Sequence, residues 1–161
     1  MSNRRCKYPL SLAFRMISLN HAKTVLISST SIQEYGSKLS IPVVLSKITE
    51  KYSPNIVATV NYEYDTKIAR TKGDFVWHSH PDTDEFFYIL SGSLTTKVDG
   101  KEGNEVVVSY QGEIFTVPKG VRQRPAGDAE IMLTERSGEV NTGDAKISEF
   151  TREVNDARVI V

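Results

Sequence analysis

An all-β barrel or sandwich with one short helix at its front is the fold this sequence predicts, on three observations. From residue 55 to residue 136, short runs rich in Val, Ile, Thr, Tyr and Phe follow one another closely. Turn chemistry stands between many of them, at Ser91-Gly92-Ser93, Asp99-Gly100, Gln111-Gly112, Pro118-Lys119-Gly120 and Ala126-Gly127-Asp128. No helical pattern alternates with these runs, as βαβ units would require. The 161 residues suit one domain, with enough chain to bury a core without disulfide or metal staples.

The elements follow in order. Residues 1–33 carry Arg4, Arg5, Lys7, Arg15 and Lys23 and no acid, and include Ser28-Ser29-Thr30-Ser31. That is the composition of an organellar transit peptide; the alternative is a tail or an extra strand over 24–28. The remaining chain holds 15 bases against 20 acids, so the neutral total hides a mildly acidic body of net −5. Pro42 and the apolar Val43, Val44, Leu45 and Ile48 predict a helix over roughly 42–51, stopped by Ser53-Pro54. Strands are expected over 55–64, 66–71, 75–80, 85–90, 93–98, 105–110, 114–117 and 129–136.

Several function classes are excluded at this point. No stretch approaches the roughly 18–20 apolar residues of a membrane span. The single Cys6 rules out an internal disulfide and any multi-cysteine metal cluster. Phosphate-binding glycine loops, a Gly-x-Ser-x-Gly elbow and a basic-aromatic nucleic-acid surface are missing.

Chemistry concentrates in residues 73–85. On an extended chain His78 and His80 point the same way, about 6.6–6.8 Å apart along the backbone. Two imidazoles so placed can converge on one ion, and Glu85, opening the next strand after a bend, can add a carboxylate oxygen. Two His and one carboxylate suit non-haem iron, and also manganese, nickel or zinc. The alternative reading of the pair is two exposed strand histidines. Trp77, Phe86, Tyr88 and Tyr110 fall out of phase or at strand ends and are expected in packing or at a dimer face. Val76, Phe87, Ile89, Val121, Ile131 and Leu133 share the inward phase and form a candidate apolar pocket wall. Asp82 and Asp84 are expected to shape a bend, Arg122 and Arg124 to face outward, and Asn141-Thr142-Gly143 to form a turn.

The pattern resembles the cupin family. Gly73, His78, His80, Glu85 and Gly92 occupy the places of its first motif, with four residues instead of five between Gly73 and His78. Gly112, Pro118 and Gly120 match its second motif, whose last position is His in the family and Gln123 here. Asp84-Glu85-Phe86-Phe87, Val117 to Val121 and Val140-Asn141-Thr142-Gly143-Asp144 are similar to a small single-domain, RmlC-like subgroup, sometimes described as mannose-6-phosphate-isomerase-like. The resemblance implies a double-stranded β-helix, or jelly roll, over 41–146. An N-terminal extension (1–40) precedes it and a tail (147–161) follows.

It also implies one divalent ion (Fe, Mn, Ni or Zn) on His78, His80, Glu85 and Gln123. An amide oxygen is a harder and weaker donor than imidazole, so Gln123 implies either a labile ion or a barrel that has lost it. Two functions stay open. One is a metal-dependent enzyme on a small organic molecule, with oxygenation, isomerisation, decarboxylation and cyclisation all represented in the family. The other is a non-catalytic small-molecule-binding or structural cupin. Glu85 is read as a ligand, or as the general base of a metal-free site, its pKa raised by apolar surroundings. A homodimer is expected, with no nucleic-acid partner. The expected location is the cytoplasm, with mitochondrial or other organellar targeting as the alternative.

Overall fold

The structure, a computed structural model, describes residues 38–100 and 103–159. The basic stretch 1–33, with its targeting and extra-strand readings, lies outside the described residues. Helix α1 (Ile41–Lys47) starts with Pro in its first turn and buries Val44 and Leu45. It is shorter than the expected 42–51 because Ile48 turns to extended backbone (φ −81°, ψ 111°). There its N–H bonds Leu45 O at 3.2 Å. Val44, Leu45 and Ile48 pack on Ile68, Val57, Leu90 and Met132, so the helix covers an apolar patch of the sheet.

Seven strands follow: β1 (Asn55–Val60), β2 (Tyr64–Thr71), β3 (Glu85–Gly100), β4 (Gly103–Tyr110), β5 (Ile114–Val117), β6 (Gln123–Arg136) and β7 (Asn155–Asp156). Their order is β4-β3-β6-β2-β1-β7, with β5 also on β3. All pairs are antiparallel except β1–β7. The sheet closes as a jelly roll around a core of Ala69, Phe87, Ile89, Leu94, Val98, Val117, Ala129, Ile131 and Leu133. Each of its Val, Leu, Ile and Phe side chains contributes about 1.5–3 kcal/mol by leaving water. The all-β barrel with one short helix is the fold expected.

Four expected boundaries move. The run over 55–64 stops as a strand at Val60, and Tyr64 already opens β2; between them Asn61 and Tyr62 take left-handed backbone (φ 53° and 60°) and Glu63 N–H bonds Val60 O at 3.0 Å. Ser91-Gly92-Ser93 and Ala126-Gly127-Asp128 are not turns. They lie inside β3 and β6 and pair with each other, Gly92 against Ala129 and Leu94 against Gly127, beside a register shift between Ile89 and Ser91. A Cβ on Gly92 would strike Asp128 O, and one on Gly127 would strike Ser93 O. These glycines let two long strands bend and cross closely. Finally, residues 75–80 are extended but form only isolated bridges. Among the described residues no helix is long and apolar enough to cross a membrane.

Candidate metal centre

The histidine segment docks on the start of β6. Phe75 N–H bonds Pro125 O at 2.9 Å, and His78 and Gln123 exchange N–H···O bonds of 2.9 and 2.8 Å. Gly120 N–H bonds His80 O at 2.9 Å. Alternation then turns His78 and His80 inward, 2% and 3% exposed. Trp77 faces out, beneath the Arg122 and Arg124 guanidinium groups at 5.5 and 5.9 Å from its ring centre. Both arginines also approach surface acids, Asp99 and Asp74. Glu85 opens β3 on its buried phase.

Both imidazoles present Nε2 to one carboxylate oxygen: Glu85 Oε2 lies 4.0 Å from His78 and 3.7 Å from His80. Their candidate ligand atoms all lie within 4.8 Å of one another. His78 Nδ1 is 3.0 Å from Val76 O, which can only accept, so Nδ1 carries the proton and Nε2 keeps its lone pair. His80 Nδ1 bonds Glu139 Oε2 at 3.2 Å, and its Nε2 is buried without a hydrogen-bond partner. Imidazoles anchored at one nitrogen, with the other free toward a carboxylate, are the arrangement that metal ligands take. Gln123 joins by donating its amide N–H to Glu85 Oε2 in a short hydrogen bond, leaving its own Oε1 buried and unpartnered.

Electrostatics favour a cation here. Burial pushes His78 down to about 4, only partly opposed by its bond to Val76, so it is neutral at pH 7. Burial works against the charged form of His80 too, but Glu85, Glu135 and Glu139 outweigh it and hold His80 above its ordinary value. Burial and then Glu135 push Glu85 up to about 7, against His80, Gln123 and Lys67. Glu85, Glu135 and Glu139 gather round His80, and Lys67 Nζ lies 2.9 Å from Glu135 Oε1 with both side chains inaccessible. The donor set and this gathering of carboxylates fit a divalent ion.

Sequence reasoning missed Lys67, Glu135 and Glu139. The signal was strand parity: Glu135 continues the buried phase of Ile131 and Leu133, and Lys67 that of Ala69 and Thr71. It also read Asn141-Thr142-Gly143 as a turn and gave Asp144 no role. The turn is there, but Asn141 and Thr142 are buried. Asp144 accepts Ser79 N–H at 2.7 Å and Ser79 O–H at 2.8 Å, while Asp144 N–H bonds Ser79 O at 3.0 Å. A Cβ on Gly143 (φ +48°) would strike Ser79 O. Asn141 ties this strap to Tyr52 O, Phe150 O and Arg152 N. The residue between the two histidines is therefore clamped from outside. Asp144 is held below the usual carboxylate range by the Ser79 N–H and hydroxyl.

Of the expected wall, Phe87, Ile131 and Leu133 line an interior cavity of about 40 Å³ beside His78 and Glu85. Ile89 is core and Val121 packs against it, while Val76 serves through its carbonyl. Asp84 shapes its bend by accepting Lys119 N–H at 2.8 Å.

A family model described as the cupin domain matches residues 68–135. The uncharacterized protein YdbB of Bacillus subtilis (strain 168) is 31% identical over 81 residues, 50% of this chain and 68% of that protein. A cupin-2 domain containing protein from Shewanella frigidimarina NCIMB 400 is 30% identical, with a TM-score of 0.56 over 61% of this chain and 93% of that one. Protein NMB1881 of Neisseria meningitidis shares the fold at 23% identity, with a TM-score of 0.55 over 63% of this chain and all (100%) of the other. The motif positions, the jelly roll and these relatives agree: the chain belongs to the cupin family.

Proposed function

We propose that this cupin binds one divalent ion (Fe, Mn, Ni or Zn) and acts enzymatically on a small organic molecule inside the 41–146 barrel. The observation that carries the reading is the pair of anchored imidazoles whose Nε2 atoms face one Glu85 oxygen. His78, His80 and Glu85 would hold the ion, with Gln123 as the fourth residue at the site. When bound, such an ion supplies Lewis-acid polarisation of a substrate oxygen. The chain's own residues orient the donors: Val76 O fixes His78, Glu139 fixes His80, and Asp144 fixes the backbone between them. Phe87, Ile131 and Leu133 make the cavity wall beside the donors apolar.

One observation favours a second reading, a non-catalytic binding or structural cupin with a weakened site. Gln123 directs its amide N–H to Glu85, where a fourth ligand would direct a lone pair to the ion. Metal analysis of a chelator-free preparation separates the two. Stoichiometric metal in the wild type and none in His78→Ala supports the first. A metal-free wild type that becomes loaded in Gln123→His sinks it.

The mannose-6-phosphate-isomerase-like subgroup, a cytoplasmic location and a homodimer belong to the same proposal. Exposed Val106, Val108 and Tyr110 on the outer strand β4 support the dimer. Light scattering giving about 18 kDa would remove it.

A further inference from the structure

The cavity beside His78 and Glu85 has a one-sided hydrogen-bonding capacity. Its walls are apolar at Phe75, Phe87, Ile131 and Leu133. Apart from the carboxyl of Glu85, each polar donor that lines it is already engaged within the protein. Tyr52 O–H bonds Gly73 O at 2.6 Å. Thr71 Oγ1 lies 3.2 and 3.3 Å from Gly127 O and Ala129 O. Asn141 Nδ2 bonds Tyr52 O and Phe150 O, both at 2.9 Å. His78 gives its Nδ1 proton to Val76 O.

What remains is acceptor capacity. Glu135 lines the cavity, is 2% exposed, and its Oε2 has no hydrogen-bond partner. His80 Nδ1 lies 3.3 Å from that oxygen, but its hydrogen bond goes to Glu139. No lysine or arginine is among the lining residues, and Lys67 directs Nζ to Glu135 Oε1 and Glu139 O.

We infer that the site selects an uncharged molecule carrying a hydroxyl group that donates to Glu135 Oε2, with its carbon skeleton against the apolar wall, and that it rejects carboxylates and phosphates. A buried acceptor without a donor has lost its hydration uncompensated, a loss that a substrate hydroxyl recovers and an anion worsens. The cavity of about 40 Å³ holds roughly three waters' worth of ligand, so the recognised end of the molecule is small. This selectivity rests on the proposed use of the barrel as a small-molecule site, but it does not require the ion.

Propane-1,2-diol and lactate share a carbon skeleton and one hydroxyl and differ in a terminal CH2OH or carboxylate. Each is titrated into the full chain, zinc-loaded and chelator-treated, following the Ile131 and Leu133 methyl signals by NMR. In the chelator-treated chain, where no ion offsets the Glu135 charge, the diol is expected to bind at least about tenfold more tightly. Glu135→Gln should reduce that preference to about threefold or less. Lys67→Met/Glu135→Gln, which leaves no unpaired buried charge, should do the same if the single variant folds poorly. Lactate binding as tightly as the diol, an unchanged ratio in both variants, or no response to either ligand overturns the inference. Zinc uptake, measured on the same samples, tests the metal reading separately. If uptake fails, the chelator-treated chain still decides the selectivity.

Discussion

Along β6, Ile131 and Leu133 face Phe87 and Ala69, whereas Glu135, next on the same face, meets Lys67 and His80. The change recurs on the neighbouring strands: Phe87 gives way to Glu85 on β3, and Ala69 to Lys67 on β2. Two residues of travel thus take the interior from an apolar core to an ionic cluster, on one continuous sheet with one alternation. The apolar part holds the fold together. The ionic part burdens it, because buried charges recover their lost hydration only when every partner is present. Under the proposed function, what the cavity binds is the return on that burden.

The sharpest way to break this contrast is to remove one charge. Lys67→Met leaves Glu135 buried without its cation and should cost about 4 kcal/mol in urea unfolding. Lys67→Met/Glu135→Leu should recover most of that loss, since a well-packed apolar pair replaces an ion pair of similar volume. A double variant as unstable as the single would mean that the cluster carries the fold and that the contrast is wrong. On the apolar side, Leu133→Ala should cost about 3 kcal/mol by transfer and cavity terms and leave metal stoichiometry unchanged.

The smallest stability effect is at the strap. Asp144 is exposed, so after solvent screening Asp144→Asn should cost about 1 kcal/mol at pH 7, while metal affinity falls about tenfold as Ser79 loosens. Because the folded-state pKa is lowered, this contribution is complete above the ordinary carboxylate value of 3.8 and disappears as pH falls through the lowered one. The Tm values of wild type and variant should therefore differ at pH 7 and converge in acid, below that lowered value. A difference that persists in acid would assign the strap's effect to something other than this carboxylate.

Much of the site was legible because strand geometry is local. Alternation alone placed His78 and His80 together, and one bend brought Glu85. Gly92 and Gly127 misled because a glycine flanked by small polar residues has the chemistry of a turn. Only the distant partner strand shows that these residues are a crossing. Lys67 and Glu135 stayed hidden because a charged residue on a strand ordinarily faces water, and its burial depends on a partner 68 positions away. The strap was half legible: 141–143 turns as read, but nothing near it in sequence pairs Asp144 with Ser79.

That strap has a consequence for how the protein comes into being. Ser79 and Asp144 are 65 residues apart, and Asp144 follows the last long barrel strand. A chain emerging from the ribosome therefore carries all its candidate ligands before it carries the clamp between the histidines. Under the proposed function, the contact that fixes the backbone between the ligands is among the last parts of the site to be made.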